Sequence, residues 1–204
     1  YGFNFLYADA LTPQLVCAAL AEWPAEDGIG WPSWAFENHD APRALSRWCE
    51  PEHRELFARM KIALLAALRG NIILYQGEEL GLTLSRDGAR TPMPWSAADA
   101  AGGFGSDTPW LPLGEENHAR AVDHQVADPA SLLAHTRAMI ALRNAHPALR
   151  SGAVASSRAE GALLELVRET DDERIVCRFN LSAEALALHD TPEGEILCTV
   201  NQAS

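Results

Sequence analysis

Residues 70–81 read Gly70-Asn71-Ile72-Ile73-Leu74-Tyr75-Gln76-Gly77-Glu78-Glu79-Leu80-Gly81. The unbroken apolar run from Ile72 to Tyr75 is what a strand buried on both faces of a parallel sheet requires, since neither face can carry solvated side chains. Upstream of it, Leu56, Met60, Leu64 and Leu68 recur at four-residue spacing, the stripe of a helix that stops at Gly70. Residues 31–36 read as the strand before that helix. Residues 2–7 read as an earlier strand still, followed by a helix opened by Thr12-Pro13 and striped by Val16, Ala19, Leu20 and Trp23.

After the Ile72–Tyr75 strand comes a Gly- and Pro-rich loop over residues 81–112. A last helix is expected over residues 129–147, capped by Asp128-Pro129, with Leu132, Thr136, Met139 and Ile140 in its stripe. Strand then helix, three times at intervals of about thirty residues, predicts βαβ units on a parallel sheet. Three parallel strands leave both sheet edges open, so the tail end of a larger α/β domain is expected. The start at Tyr1, without an initiator methionine, suggests the same.

From Ser151 the period becomes two. Ile175, Cys177, Phe179 and Leu181 alternate with Val176, Arg178, Asn180 and Ser182, and Asp171-Asp172 reads as the turn of a hairpin between residues 161–168 and 174–181. The predicted organisation is therefore an α/β unit over residues 1–149 and a small antiparallel β domain over residues 150–204.

With 204 residues, of which 48% are apolar, the chain can bury a substantial core. Acids outnumber bases by 28 to 16, a net charge of −12 that disfavours nucleic acid and anionic membranes as partners. A small neutral or cationic molecule suits such a surface better. The four cysteines form no CxxC pair, which fits free thiols in a reducing compartment. No signal peptide is visible, so a cytoplasmic location is expected.

In parallel α/β folds, sites form on the loops after the C-terminal ends of strands. Here those loops carry Glu37-Asn38-His39-Asp40, Gln76-Gly77-Glu78-Glu79 and Arg86-Asp87-Gly88-Ala89-Arg90. Asp40 is the strongest candidate for a functional carboxylate, although its position before Ala41-Pro42 favours a plain helix cap. A metal site at His39-Asp40 would need further His and Asp ligands, and His53 is the only nearby histidine; neither a metal nor a cofactor is expected. Glu78 and Glu79 are adjacent and must point apart, one of them free to pair with an arginine such as Arg43. Arg86 and Arg90 flank what reads as a solvated Asp-Gly turn. Trp31, Trp34, Trp95 and Trp110 suit stacking on pyranose rings, but packing is the commoner fate of tryptophan.

Taken together, residues 34–43, 70–81, 86–95, 104–113 and 140–152 resemble, in order, the α-glucosidase branch of the α-amylase superfamily. The resemblance implies the C-terminal part of a (β/α)8 TIM barrel, about three βα units corresponding to strands 6–8, followed by an antiparallel β domain. It implies retaining hydrolysis of terminal α-linked glucose from small oligosaccharides or α-glucosides, with glucosyl transfer or a non-catalytic scaffold as alternatives. By motif position, Asp40 corresponds to a carboxylate that grips sugar hydroxyls and favours the distorted ring. His39 matches a histidine that hydrogen-bonds the same glucose, and Arg86 an arginine of that pocket. Arg43 and Glu78 fall at supporting positions. The family's nucleophile and acid/base belong to strands 4 and 5, upstream of Tyr1, so these residues alone are expected to be inactive. The segment 81–86 is shorter than the insertion relatives usually carry, which implies an opened wall on the acceptor side of the pocket.

Overall fold

In the computed structural model, residues 2–23, 30–83, 89–105, 109–188, 190 and 192–201 are described. The first helix, α1 (Pro13–Ala21), starts where its sequence dictates. Thr12 caps it, with Oγ1 accepting the Leu15 N–H at 3.1 Å, and Pro13 occupies the first turn, where no amide donor is required. Strand β1 (Ser33–Ala35) and strand β2 (Asn71–Ile73) pair in parallel, Trp34 opposite Ile72. Between them run α2 (Ala44–Trp48), a 3-10 turn (Pro51–His53) and α3 (Arg54–Ala67). Gly70 makes the return from α3 possible. Its φ of +129° suits glycine, and a Cβ there would lie 2.5 Å from the Pro32 carbonyl, the group that accepts the Asn71 N–H to open the pairing.

The strand expected over residues 2–7 shrinks to one parallel bridge, Gly2 to Trp34, and the chain then turns, with the Leu6 N–H bonded to the Phe3 carbonyl. Both sides of the segment are still buried, Phe5 in the cluster of Trp34 and Phe36 and Leu6 in that of Ala35 and Ala41, but the Leu6 N–H is spent on the local turn instead of on a neighbouring strand. Phe5 meets Trp34 and Phe36 edge-on, with centroids 5.5 and 5.1 Å apart, and Trp48 and Phe57 extend the aromatic chain.

Helix α3 buries Ala58, Lys61, Ile62 and Leu65, a row at i, i+3, i+4 and i+7, as well as Leu64. Leu56, expected in the stripe, is instead 54% exposed. Beyond the long loop lie the short helices α4 (Glu115–His118) and α5 (Val122–Ala127), then α6 (Leu132–Ala145) and α7 (Pro147–Arg150). The cap of α6 is Ser131, whose Oγ accepts the Ala134 N–H, rather than Asp128. Asp128 closes a turn of its own by accepting the Ala130 N–H. Leu132, Thr136 and Met139 face inward as expected, but Ile140 is among the exposed apolar residues.

Strands β3 (Ala153–Glu160), β4 (Leu163–Glu169) and β5 (Arg174–Asn180) form an antiparallel sheet in sequence order, with a bulge between Val154 and Ser156. The expected hairpin is β4–β5, closed by Thr170 and Glu173. Leu164 and Leu166 of β4 join the core made by Phe5, Val16, Trp34, Leu64 and Leu68, so the sheet and the helices share apolar burial.

Two buried arginines complete the joint. The C-terminal carbonyls of a helix have no partner within it. Arg143 of α6 donates to the Ala66, Leu68 and Gly70 carbonyls, and Arg168 of β4 donates to those of Ala67, Gly152 and Ala153. Burial holds both guanidiniums below their usual range, Arg168 at about 10. Helix α3 is thus tied at its end to both α6 and the antiparallel sheet.

Candidate active site

The loops leaving β1 and β2 lie side by side because the strands are parallel neighbours, and the candidate residues sit there. Asn38 shapes the first loop. Its Oδ1 accepts the Asp40 N–H at 2.9 Å and the Ala41 N–H at 2.6 Å, an Asx turn that fixes the backbone beneath Asp40.

Asp40 does not cap a helix. Its Oδ1 accepts a 2.7 Å hydrogen bond from Arg90 Nη2, its Oδ2 lies 3.2 Å from His39 Nε2, and its side chain is 50% exposed. The group serving the N-terminus of α2 is Glu37, whose Oε1 accepts the Ala44 N–H at 3.1 Å. The cap reading of Asp40 fails because the turn and the helix end already have other acceptors.

Under this loop lies a buried quartet of two carboxylates and two cations. Arg43 donates to Glu37 Oε2 at 2.9 Å, and Lys61 donates to Glu37 Oε1 at 3.0 Å and to Glu78 Oε1 at 2.7 Å. Each of the four side chains is at most 1% exposed, and two negative charges face two positive ones. Glu78 therefore pairs with Lys61; the arginine partner suggested by sequence, Arg43, is taken by Glu37. Glu78 Oε2 also accepts the Tyr75 N–H.

Burial works to raise the Glu37 carboxyl, but the Lys61 and Arg43 charges prevail and hold it below the usual range. For Glu78 burial prevails over Lys61, and its pKa is pushed up to about 6. Burial would lower Lys61, but the two facing carboxylates outweigh it and raise that ammonium. Burial also raises the neighbouring Glu79.

Arg43 extends the network to the third loop. It donates to the Gln76 carbonyl at 2.8 Å and the Ala89 carbonyl at 3.5 Å, and its guanidinium lies over the Tyr75 ring, 4.8 Å from the centroid. Tyr75 donates its hydroxyl to the same Ala89 carbonyl at 3.1 Å. Gly77 permits the tight turn between these groups. Its φ is +81°, and a Cβ there would lie 2.3 Å from Leu82 Cδ1.

Asp40, His39, Arg43 and Glu78 are thus gathered at one end of the parallel strands, whereas Arg86, with residues 84 and 85 of the shortened segment and the Asp-Gly turn after it, lies outside the described residues. Of the tryptophans, Trp34 is buried and donates to the Arg69 carbonyl, while Trp31 lies against the Arg69 guanidinium. Trp95 is exposed and Trp110 is 86% exposed, so neither packs into the described core. Sequence reading missed Glu37 and Lys61 as members of the network. The available signal was a lysine in the middle of an otherwise apolar i, i+3, i+4, i+7 row. Among the described residues no group of three or more His, Cys, Asp or Glu side chains is placed to hold a metal ion.

Residues 12–152 match the family described as Alpha amylase, catalytic domain. The chain belongs to that family. A probable alpha-glucosidase of Rhizobium meliloti (strain 1021) is 40% identical over 208 residues, a match covering 91% of this chain and 37% of that protein. An oligo-1,6-glucosidase of Halalkalibacterium halodurans is 30% identical over 66% of this chain and 31% of its own length. The crystal structure of an alpha-glucosyl transfer enzyme, XgtA, superposes with a TM-score of 0.83 at 40% identity, over 94% of this chain and 39% of that one. The chain thus spans 37% and 31% of the two curated relatives. As an α-amylase family member it has the fold of the C-terminal part of a TIM barrel, with an antiparallel sheet after it. Among the described residues, no helix is long and apolar enough to cross a membrane.

Proposed function

We propose that this chain is the C-terminal portion of a retaining α-glucosidase that releases terminal α-linked glucose from small oligosaccharides or α-glucosides. The observation that carries the reading is Asp40. It is a half-exposed carboxylate held between a guanidinium and an imidazole at the C-terminal end of the parallel strands, where barrel enzymes keep their chemistry. In this reading Asp40 takes the sugar hydroxyls of the distorted ring and stabilises the oxocarbenium-like transition state. His39 and Arg86 bind the same glucose, while Arg43 and Glu78 hold the loops in place.

Retaining hydrolysis needs a nucleophilic carboxylate and an acid/base carboxylate roughly 5 Å apart. Both belong, in this proposal, to the part of the barrel outside these 204 residues, which by themselves are then inactive. The barrel portion is assigned to residues 1–149 and the β domain to residues 150–204, in keeping with the change from parallel to antiparallel pairing after α7. A cytoplasmic location is supported by four cysteines that are all free.

Glucosyl transfer from the same site is the second reading, favoured by the 40% identity to the alpha-glucosyl transfer enzyme. A non-catalytic scaffold has less support, since a structural barrel has no use for an exposed, oriented carboxylate. The experiment is to incubate the longer protein that contains this chain with maltose or isomaltose, with and without an alcohol acceptor. Glucose as the main product supports hydrolysis, alkyl glucoside as the main product supports transfer, and turnover of neither substrate overturns the enzymatic reading.

A further inference from the structure

The ion pair between Arg90 and Asp40 joins residues 50 apart, at 2.7 Å, with both side chains half exposed. Exposed ion pairs contribute little to stability, because side-chain entropy and salt screening offset the attraction. This one differs in how its two ends are held.

Arg90 springs from pinned backbone. Ala89 before it and Thr91 after it are both buried, and the Ala89 carbonyl accepts from Tyr75 and Arg43. Asp40 springs from the Asx turn of Asn38 and lies three residues beyond the buried Glu37, which also pairs with Arg43. Both ends of the exposed contact are therefore referenced to one buried guanidinium, that of Arg43.

We propose that Arg90 is a positioning residue that sets the orientation of the Asp40 carboxylate for its sugar; the inference rests on the reading of Asp40 given above. The terminal torsion of an aspartate is soft and roughly two-fold, so an unrestrained carboxylate samples many orientations. A carboxylate offers about four acceptor sites, two on each oxygen. Arg90 occupies one on Oδ1 and His39 approaches Oδ2, which leaves each oxygen a site for one of two adjacent sugar hydroxyls. The planar guanidinium fixes direction as well as charge, which the rotating ammonium of lysine does less well.

The test uses the longer protein, an aryl α-glucoside and a double-mutant cycle. Arg90→Met is expected to lower kcat/KM about 10- to 100-fold, more through kcat than KM, with Tm unchanged within about 2 °C. Arg90→Lys recovers part of the loss, and it carries the test if Arg90→Met lowers Tm. In an Asp40→Ala background, Arg90→Met changes kcat/KM by less than about threefold, because the group it acts through is gone. The proposal is overturned if Arg90→Met alone stays within about threefold of the parent, or if its full loss persists in the Asp40→Ala background, which would make Arg90 an independent sugar contact. Near-normal turnover of Asp40→Ala itself would instead bring down the reading of Asp40.

Discussion

Replacing Lys61 with methionine keeps most of the side-chain volume and removes the charge at the centre of the buried quartet. Glu37 retains Arg43 at 2.9 Å, but Glu78 is left with the Tyr75 N–H alone. Removing one partner of a buried ion pair typically costs about 3–5 kcal/mol, because the other charge stays desolvated and unpaired. Glu78 can relieve that cost by taking up a proton. Its pKa is about 6 even beside Lys61, burial being the main cause, and loss of the lysine moves it higher.

The folded variant then holds a proton that the unfolded chain releases near pH 4.5. A folded state that binds more protons loses stability as pH rises, by up to about 1.4 kcal/mol per pH unit for one group. The deficit of Lys61→Met relative to the parent should be largest at pH 8 and smaller by roughly 1–3 kcal/mol at pH 5.5. Urea unfolding followed by tryptophan fluorescence at pH 5.5, 7 and 8 measures this. In Lys61→Met/Glu78→Gln the titrating group is gone, so that pH dependence should vanish and part of the stability return. A deficit below about 1 kcal/mol, or one equal at every pH, would refute the argument.

The two arginines at the end of α3 give further expectations. Arg143→Met strands the Ala66, Leu68 and Gly70 carbonyls in the interior and should cost about 3 kcal/mol or more, read as a lowered urea midpoint. Arg168→Met frees the Ala67, Gly152 and Ala153 carbonyls, where sheet and helix meet. It should raise hydrogen exchange in β3 and β4 before exchange rises in α3; equal exchange throughout would contradict the joint described here.

Local signals in the sequence led to several of the elements, though the strand expected over residues 2–7 is only a bridge. Thr12-Pro13 places α1 because the cap and the first turn are decided by neighbouring residues. The apolar run at residues 72–75 places β2, and the alternation from Ile175 places β5. Where two local signals compete, packing decides: Asp128 and Ser131 can both cap, and the chain uses Asp128 for a turn and Ser131 for α6. Strand β3 escaped individual notice because its sequence, Ala-Val-Ala-Ser-Ser-Arg-Ala-Glu, is mostly exposed and has little apolar alternation.

The candidate site was legible as loops and as Asp40, but not as a network. Lys61 lies 24 residues from Glu37 and 17 from Glu78, and such pairings exist only once the parallel strands have brought the loops together. Arg90 looked like one half of a solvated turn for the same reason, since its partner is 50 residues away.

The role proposed for Asp40 is tested most directly by Asp40→Asn in the longer protein, with kcat/KM measured on an aryl α-glucoside and folding checked by Tm. The asparagine has the same size but presents one acceptor and one donor where two acceptors stood. The expected result is an unchanged Tm within about 2 °C and a fall in kcat/KM of about 100-fold or more, the scale of losing a charge that stabilises only the transition state. Turnover within about threefold of the parent at unchanged Tm would contradict it.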